Sequence, residues 1–447
     1  MNWKKIVCIF LIATACQREE TTVILENNEK DIRIDKSELI WAKSAIRDFY
    51  QKHDFKTVWR DSVNRSELIS AILDSRYDGV LPEKYPVRAL IKAHHNYGLL
   101  TQHQLKTTDI DFTENYFRIA QQLATGKVNP KKLYGDWEPY IPEINYADLL
   151  AASIQKSGVY EGLENIKPKH ELYLAYKEKF SKYVPIILKD TTTTVGYLQK
   201  KIWVNLERSK WLQPDLGKQY VWINLPEYQL KVVSDGRIVE KHKVIIGKTE
   251  RRTPVLSSSF SGIIINPKWT VPPTILKNDV VPKASSNRGY FESNRLTIFD
   301  KKSGKAVSPE NWNPDNYNGY RYVQQTGKLN SLGLIKFDFP NKHMVYLHDT
   351  NNRSKFVESN RALSSGCVRV QNPFKLAETL FQYEGIDMSR SEIDTLVVKE
   401  KTKNIKLNKK VNVHQVYFTA IIDSTNNVKL LPDVYNLDNM LYKRLTQ

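Results

Sequence analysis

The hydrophobic pattern changes period at Gln219, and the change divides the chain into two kinds of structure. Val221, Ile223 and Leu225 alternate with Tyr220, Trp222 and Asn224, the period of a strand that buries one face. Residues 230–233, the dipeptide Asp235-Gly236 and Ile238-Val239 predict a tight hairpin. Residues 244–247 and 263–265 add strands, and 411–422 predicts a late strand pair. Upstream the spacing is helical. Ile40, Ile46, Phe49 and Tyr50 predict one amphipathic helix, and Leu68, Ile69, Ile72 and Leu73 a second, stopped near Asp78-Gly79. A third is predicted over 111–124, ended by Gly126. Leu172, Ala175, Tyr176, Phe180 and Tyr183 predict a fourth, and 198–211 forms a connecting helix. The fold class is therefore α+β and multidomain, with an N-terminal helical domain and an all-β second domain. An aromatic, proline-rich stretch over 266–330 interrupts the strands, and its length and aromatic content predict a lid at about 270–328.

The N-terminus bears on compartment. Met1-Asn2-Trp3-Lys4-Lys5 is basic, and residues 6–13 are apolar but too short to span a bilayer. Residues 12–16 look like a lipobox, so Cys16 is expected to become a lipidated N-terminus of an exported, periplasmic, membrane-anchored protein. The alternative is an ordinary signal peptide cleaved after Ala15. The expected organisation is a signal peptide over 1–16, a polar tether over 17–35, the helical domain over 36–190 and a connecting helix over 191–216. The all-β domain follows over 217–403, with a C-terminal subdomain over 404–447 packed on it.

The chain holds Cys8, Cys16 and Cys367. Loss of Cys8 and lipidation of Cys16 leave Cys367 without a disulfide partner in an oxidising compartment, a pattern that favours reactivity over packing. No CxxC or HExxH occurs, so neither a metal nor another cofactor is expected. The formal net charge is +18. Export argues against nucleic acid as the partner and leaves the carboxylates of the cell wall as the available polyanion. The lysine run over 399–410 is expected to be a solvated linker or a guard on an edge strand. Oligomeric state is not legible.

Residues 343–370 carry the chemistry. A strand ends at His348, a polar loop follows, and Ser364-Ser365-Gly366 precede Cys367. Val368-Arg369-Val370 resumes an alternating pattern, and Asn372-Pro373 opens a helix. A thiol on a small-residue turn with an imidazole at a nearby strand end suits nucleophilic catalysis, because the imidazole takes the thiol proton. Gly366 lets a carbonyl approach, and its backbone N–H with that of Cys367 is expected to serve an oxyanion. Tyr346 lies two residues before His348 and Arg369 two after Cys367, each on the same strand face as its neighbour.

His348-Asp349-Thr350 followed by 361–370 resembles the signature of L,D-transpeptidases, the cysteine enzymes that cross-link peptidoglycan. The resemblance extends to Asn266 through Pro273, to Thr253-Pro254, to Lys336 through Asn341 and to a helical scaffold near 120–137. It implies a β-sandwich with a lid over the site. Cys367 is then the nucleophile and His348 the general base and acid, while Tyr346, Arg369 and Trp269 contact substrate. Donor stem tetrapeptides and acceptor amines of peptidoglycan are the implied partners, and 3→3 cross-links with release of D-Ala the implied outcome. The alternatives are an L,D-carboxypeptidase or endopeptidase using the same acyl-enzyme, or a non-catalytic cell-wall-binding lipoprotein. Many members carry a three-helix peptidoglycan-binding module, and between Tyr183 and Leu198 there is no room for one. Ser365 stands where many members have histidine, which puts the acid–base work on His348 alone.

Overall fold

Capping chemistry sets the first helices. Asp61 accepts the N–H of Val63 at 2.8 Å, and Thr101 and Gln104 form a reciprocal capping box with bonds of 3.3 and 2.9 Å. The computed structural model describes residues 32–183, 193–408, 410–423 and 425–447. In order run α1 (Ser44–Lys52), α2 (Ser62–Asp74), α3 (Val87–His95), α4 (Gln102–Thr125), α5 (Pro130–Tyr134), α6 (Tyr146–Gln155), α7 (Val159–Asn165), α8 (Glu171–Ser181) and α9 (Thr194–Ser209). Phe49, Tyr50, Trp59, Phe112 and Tyr116 are fully buried in a core shared by α1 to α4, α6 and α7. The expected signal peptide, Cys16 and residues 17–31 of the expected tether lie outside the described residues. Residues 32–35 already belong to the fold: Arg33 bridges Lys56, and Ile34 is buried in the helical core.

The strands of the second domain begin with β1 (Gln219–Asn224), β2 (Gln229–Ser234), β3 (Arg237–Gly247), β4 (Leu256–Ser259) and β5 (Gly262–Ile265). The inserted segment holds β6 (Trp269–Thr270), α10 (Pro273–Ile275), α11 (Val281–Ser286), α12 (Gly289–Ser293), β7 (Leu296–Asp300), β8 (Ala306–Val307) and β9 (Tyr320–Gln324). Next come β10 (Ile335–Asp338), β11 (Leu347–His348), β12 (Ala362–Ser364), β13 (Val368–Val370), α13 (Pro373–Glu384) and α14 (Arg390–Val398). Then follow β14 (Lys403–Lys406), β15 (Asn412–Val416), β16 (Ala420–Ile422), β17 (Val428–Leu430) and α15 (Leu437–Thr446).

The main sheet runs β14-β5-β10-β11-β13-β3-β2-β1-β15-β4, with β12 pairing β3. The alternation at Val221, Ile223 and Leu225 buries all three, and Asp235 and Gly236 make the hairpin turn with positive φ at both positions. The sheet curls around one core that also takes in Leu376, Ala377 and Leu380 of α13, so this domain is mostly β and not all β. Asn372 precedes α13 with φ +51 and no side-chain cap bond, so the helix starts on the fixed φ of Pro373 rather than on a cap.

Two expected boundaries move. Residues 404–447 are not a subdomain laid on the sheet. β15 is inserted beside β1 in parallel register, β14 extends β5, and α15 packs against α9. Likewise α8 and α9 share the sheet's core, where Tyr173, Tyr176, Phe180 and Trp203 are buried. The expected lid is a small folded unit with its own sheet, β6-β9-β7-β8, and its own core. Phe291, Trp312 and Tyr322 are fully buried inside it, and Trp312 Nε1 donates to Tyr322 Oη at 2.7 Å. Most of its aromatic residues therefore build the unit itself rather than face a substrate.

Candidate active site

Strand register assembles the site. Lys336 of β10 is the cross-strand partner of His348 in β11, and His348 is the partner of Arg369 in β13. Cross-strand partners share a face, so the three side chains form a row. The other face of the same strands, Phe337, Leu347, Val368 and Val370, is buried in the core. The pairing of Leu347 with Val368 places Cys367 opposite Tyr346, one step from His348. The Val368 N–H donates to the Tyr346 carbonyl at 3.2 Å and locks that alignment. The sequence-predicted Cys367, His348, Tyr346 and Arg369 thus come together at the ends of β11 and β13.

The turn before Cys367 is held from behind. Gly366 has φ +120, a backbone state that a side chain would strain. Thr253 donates its hydroxyl to the Gly366 carbonyl at 2.7 Å and accepts the Gly247 N–H at 2.9 Å. Tyr435 accepts the Thr253 N–H at 3.2 Å and donates to the Gly247 carbonyl at 2.7 Å. Ser364 Oγ donates to the Cys367 carbonyl at 2.6 Å and accepts the Gly366 N–H at 3.1 Å. The last contact corrects an expectation: the Gly366 amide points at Ser364 and is not offered to an oxyanion in this state. Ser365 Oγ accepts from Arg251 at 3.0 Å, and Arg251 also pairs with Asp279 of the inserted unit at 2.6 Å. Thr253 and Lys336 stand in segments that carry the resemblance and Tyr435 does not, but no motif in the sequence around any of them marks such roles. In Lys336 the signal was the outward-facing position between Ile335 and Phe337.

Electrostatics separate the two titrating groups. His348 is 5% exposed. Burial, then the Arg369 guanidinium and Lys336, push its imidazole down to about 3, against opposing backbone hydrogen bonding at Asp349 and Leu332. Its Nδ1 is buried without a hydrogen-bond partner among the described residues. The ring is therefore neutral and has a free nitrogen, the state of a general base. Burial pushes the Cys367 thiol up, while the Tyr346 N–H and hydroxyl, Lys336 and Arg369 pull it back. Cys367 nonetheless remains partly open to solvent and is the free cysteine among the described residues. Burial first, then the Cys367 sulfur, raises the Tyr346 phenol, so its proton is kept. Trp269 is close enough to that hydroxyl to pull its pKa back down, which is where the inserted unit reaches the site. Among the described residues no cluster of His, Cys, Asp or Glu fits a metal ion, and no helix is long and apolar enough to cross a membrane.

Comparison with known proteins adds the lineage. Residues 44–180 match the profile of a scaffold domain, and residues 218–393 match that of an L,D-transpeptidase catalytic domain. A Haemophilus influenzae protein provisionally named an L,D-transpeptidase is 26% identical over 402 residues, covering 89% of this chain and 79% of the relative. Among solved structures, an L,D-transpeptidase from Stackebrandtia nassauensis is 14% identical, covering 68% of this chain and 91% of that one, with a TM-score of 0.19. The carbamoyl enzyme of Ldtfm with avibactam is 12% identical with a TM-score of 0.23. It covers 51% of this chain, which spans 63% of its length. The chain thus carries an L,D-transpeptidase catalytic domain over residues 218–393 behind a scaffold domain over residues 44–180.

Proposed function

We propose that the protein is a peptidoglycan L,D-transpeptidase that makes 3→3 cross-links through a thioester on Cys367. The observation that carries this is the alignment of Cys367 with Tyr346 and, one register step on, with a neutral buried His348. As the sulfur attacks the carbonyl of the third stem residue, His348 takes the thiol proton. The collapsing intermediate expels D-Ala, whose amine takes that proton from the imidazolium. The side-chain amine of a second stem then attacks the thioester, gives its proton to His348, and releases the thiol. General acid–base catalysis of this kind contributes roughly 10²–10⁴-fold. The Cys367 N–H and the protonated Tyr346 hydroxyl are the donors proposed for the oxyanion, since the Gly366 amide is engaged by Ser364. Arg369 is proposed to meet a substrate carboxylate, with Trp269 covering the thioester from the inserted unit.

The test is intact-protein mass spectrometry with disaccharide-tetrapeptide, wild type beside Cys367→Ala. The expected result is a transient adduct with loss of D-Ala in the wild type alone, followed by a cross-linked dimer. Tripeptide in place of dimer would make the protein a carboxypeptidase. No adduct on a folded chain would leave a cell-wall-binding protein. For the N-terminus we propose export to the periplasm and anchoring through Cys16. Radiolabelled palmitate should enter the wild type and not Cys16→Ser, and equal labelling would refute the anchor.

A further inference from the structure

In the resting site the buried His348 ring is neutral and takes the thiol proton only as attack begins, so it supplies no standing positive charge beside the sulfur. That charge has to come from elsewhere on the row that faces the sulfur. Lys336 is the direct cross-strand partner of His348. Its ammonium lies 4.2 Å from the centroid of the Tyr346 ring. The same nitrogen pairs with Asp338 Oδ1 at 2.7 Å, and its side chain is only 20% exposed. Tyr346 in turn stands edge-on to His348, with ring centroids 5.7 Å apart, and lies opposite Cys367 in the strand register.

We propose that Lys336 is a positioning residue for the nucleophile: held by Asp338, it packs on the Tyr346 ring, fixes that phenol beside the Cys367 sulfur, and supplies positive charge that favours the thiolate. An ordinary surface ion pair would need only Asp338. The ring contact and the placement opposite His348 give the ammonium a second task. The other charged or titratable groups around the sulfur are Tyr346 and His348 of β11 and Arg369 of β13. Arg251 reaches the preceding turn and is itself paired with Asp279. Among these, Lys336 is the cation that touches the phenol. Both effects act in one direction, toward a lower thiol pKa. The inference rests on Cys367 as the nucleophile but not on any substrate.

Iodoacetamide labelling of Cys367, read peptide by peptide in the full chain across pH 5 to 10, tests it without peptidoglycan. Lys336→Met should move the labelling profile up by about one pH unit, so that labelling near neutral pH falls about tenfold. Lys336→Arg should restore it to within about twofold, and Asp338→Asn should lie between. Melting curves confirm that each variant is folded. A Lys336→Met profile that overlies the wild type overturns the proposal, as does an equal loss in Lys336→Arg, which would make the effect one of shape. A wild-type Cys367 that labels no faster than a free peptide thiol and forms no acyl adduct overturns both the nucleophile and this role for Lys336.

Discussion

His348 carries two consequences of one fact, its burial as a neutral ring. Its pKa is about 3 in the folded chain against roughly 6.5 when exposed. Between those values the unfolded chain binds the proton and the folded chain does not. Stability therefore falls as pH drops from about 6.5 toward 3. His348→Gln should flatten that acid limb, seen as a smaller loss of Tm between pH 7 and 4 than in the wild type. The same variant should lose about 10²–10⁴-fold in acylation rate at neutral pH. An unchanged acid limb would mean that the ring is solvated. Cys367 and His348 were legible in the sequence because a small-residue turn and a strand end are local features. Thr253, Tyr435 and Lys336 were not, because their roles exist only once strands distant in the chain lie side by side. The Gly366 amide was misassigned for a related reason: which way it points depends on the Ser364 hydroxyl.

At the scale of elements, α4 shows what periodicity sees and what it misses. The spacing predicts a helix over 111–124, and the helix starts about two and a half turns earlier, at Gln102, where Thr101 and Gln104 form a capping box. Its buried Asp109 does work that no hydrophobic pattern reports. That carboxyl accepts the N–H of Val58 at 2.9 Å, the N–H of Trp59 at 2.8 Å and the Tyr50 hydroxyl at 2.7 Å. It thus pins the segment before α2 onto α4. Asp109→Ala would strand those donors in the helical core and should cost about 3 kcal/mol of stability in denaturant unfolding. A loss under about 0.5 kcal/mol, the size of a surface substitution, would show that the bonds are replaced by water. The hairpin at Asp235-Gly236 was legible because its turn chemistry is local. The central place of β15 was not, since nothing in residues 412–416 names β1 as its parallel neighbour.

For the whole molecule, the boundary expected near residue 190 separates residues that share a core. The seam follows burial rather than chain order. Trp137 belongs to the helical half by sequence, yet it stacks on Tyr134 at 5.2 Å, meets Trp211 edge-on at 5.2 Å and bridges Val255. Two residues before Val255 stands Thr253, which holds the turn of Cys367. From the same segment, Asp136 pairs with Arg252 at 2.9 Å. Phe112 belongs to the same half and is as deeply buried, but in the separate core of α1 to α4, α6 and α7. Either residue truncated to alanine leaves a cavity costing about 3–5 kcal/mol. The two costs should fall on different units. Trp137→Ala should lower the urea midpoint at which Cys367 becomes reactive to iodoacetamide. Phe112→Ala should lower the midpoint of helical circular dichroism and leave that of Cys367 nearly in place. Equal shifts of both midpoints in both variants would mean that the two cores unfold as one, and a Trp137→Ala chain with an unmoved Cys367 midpoint would mean that the helical domain does not brace the site.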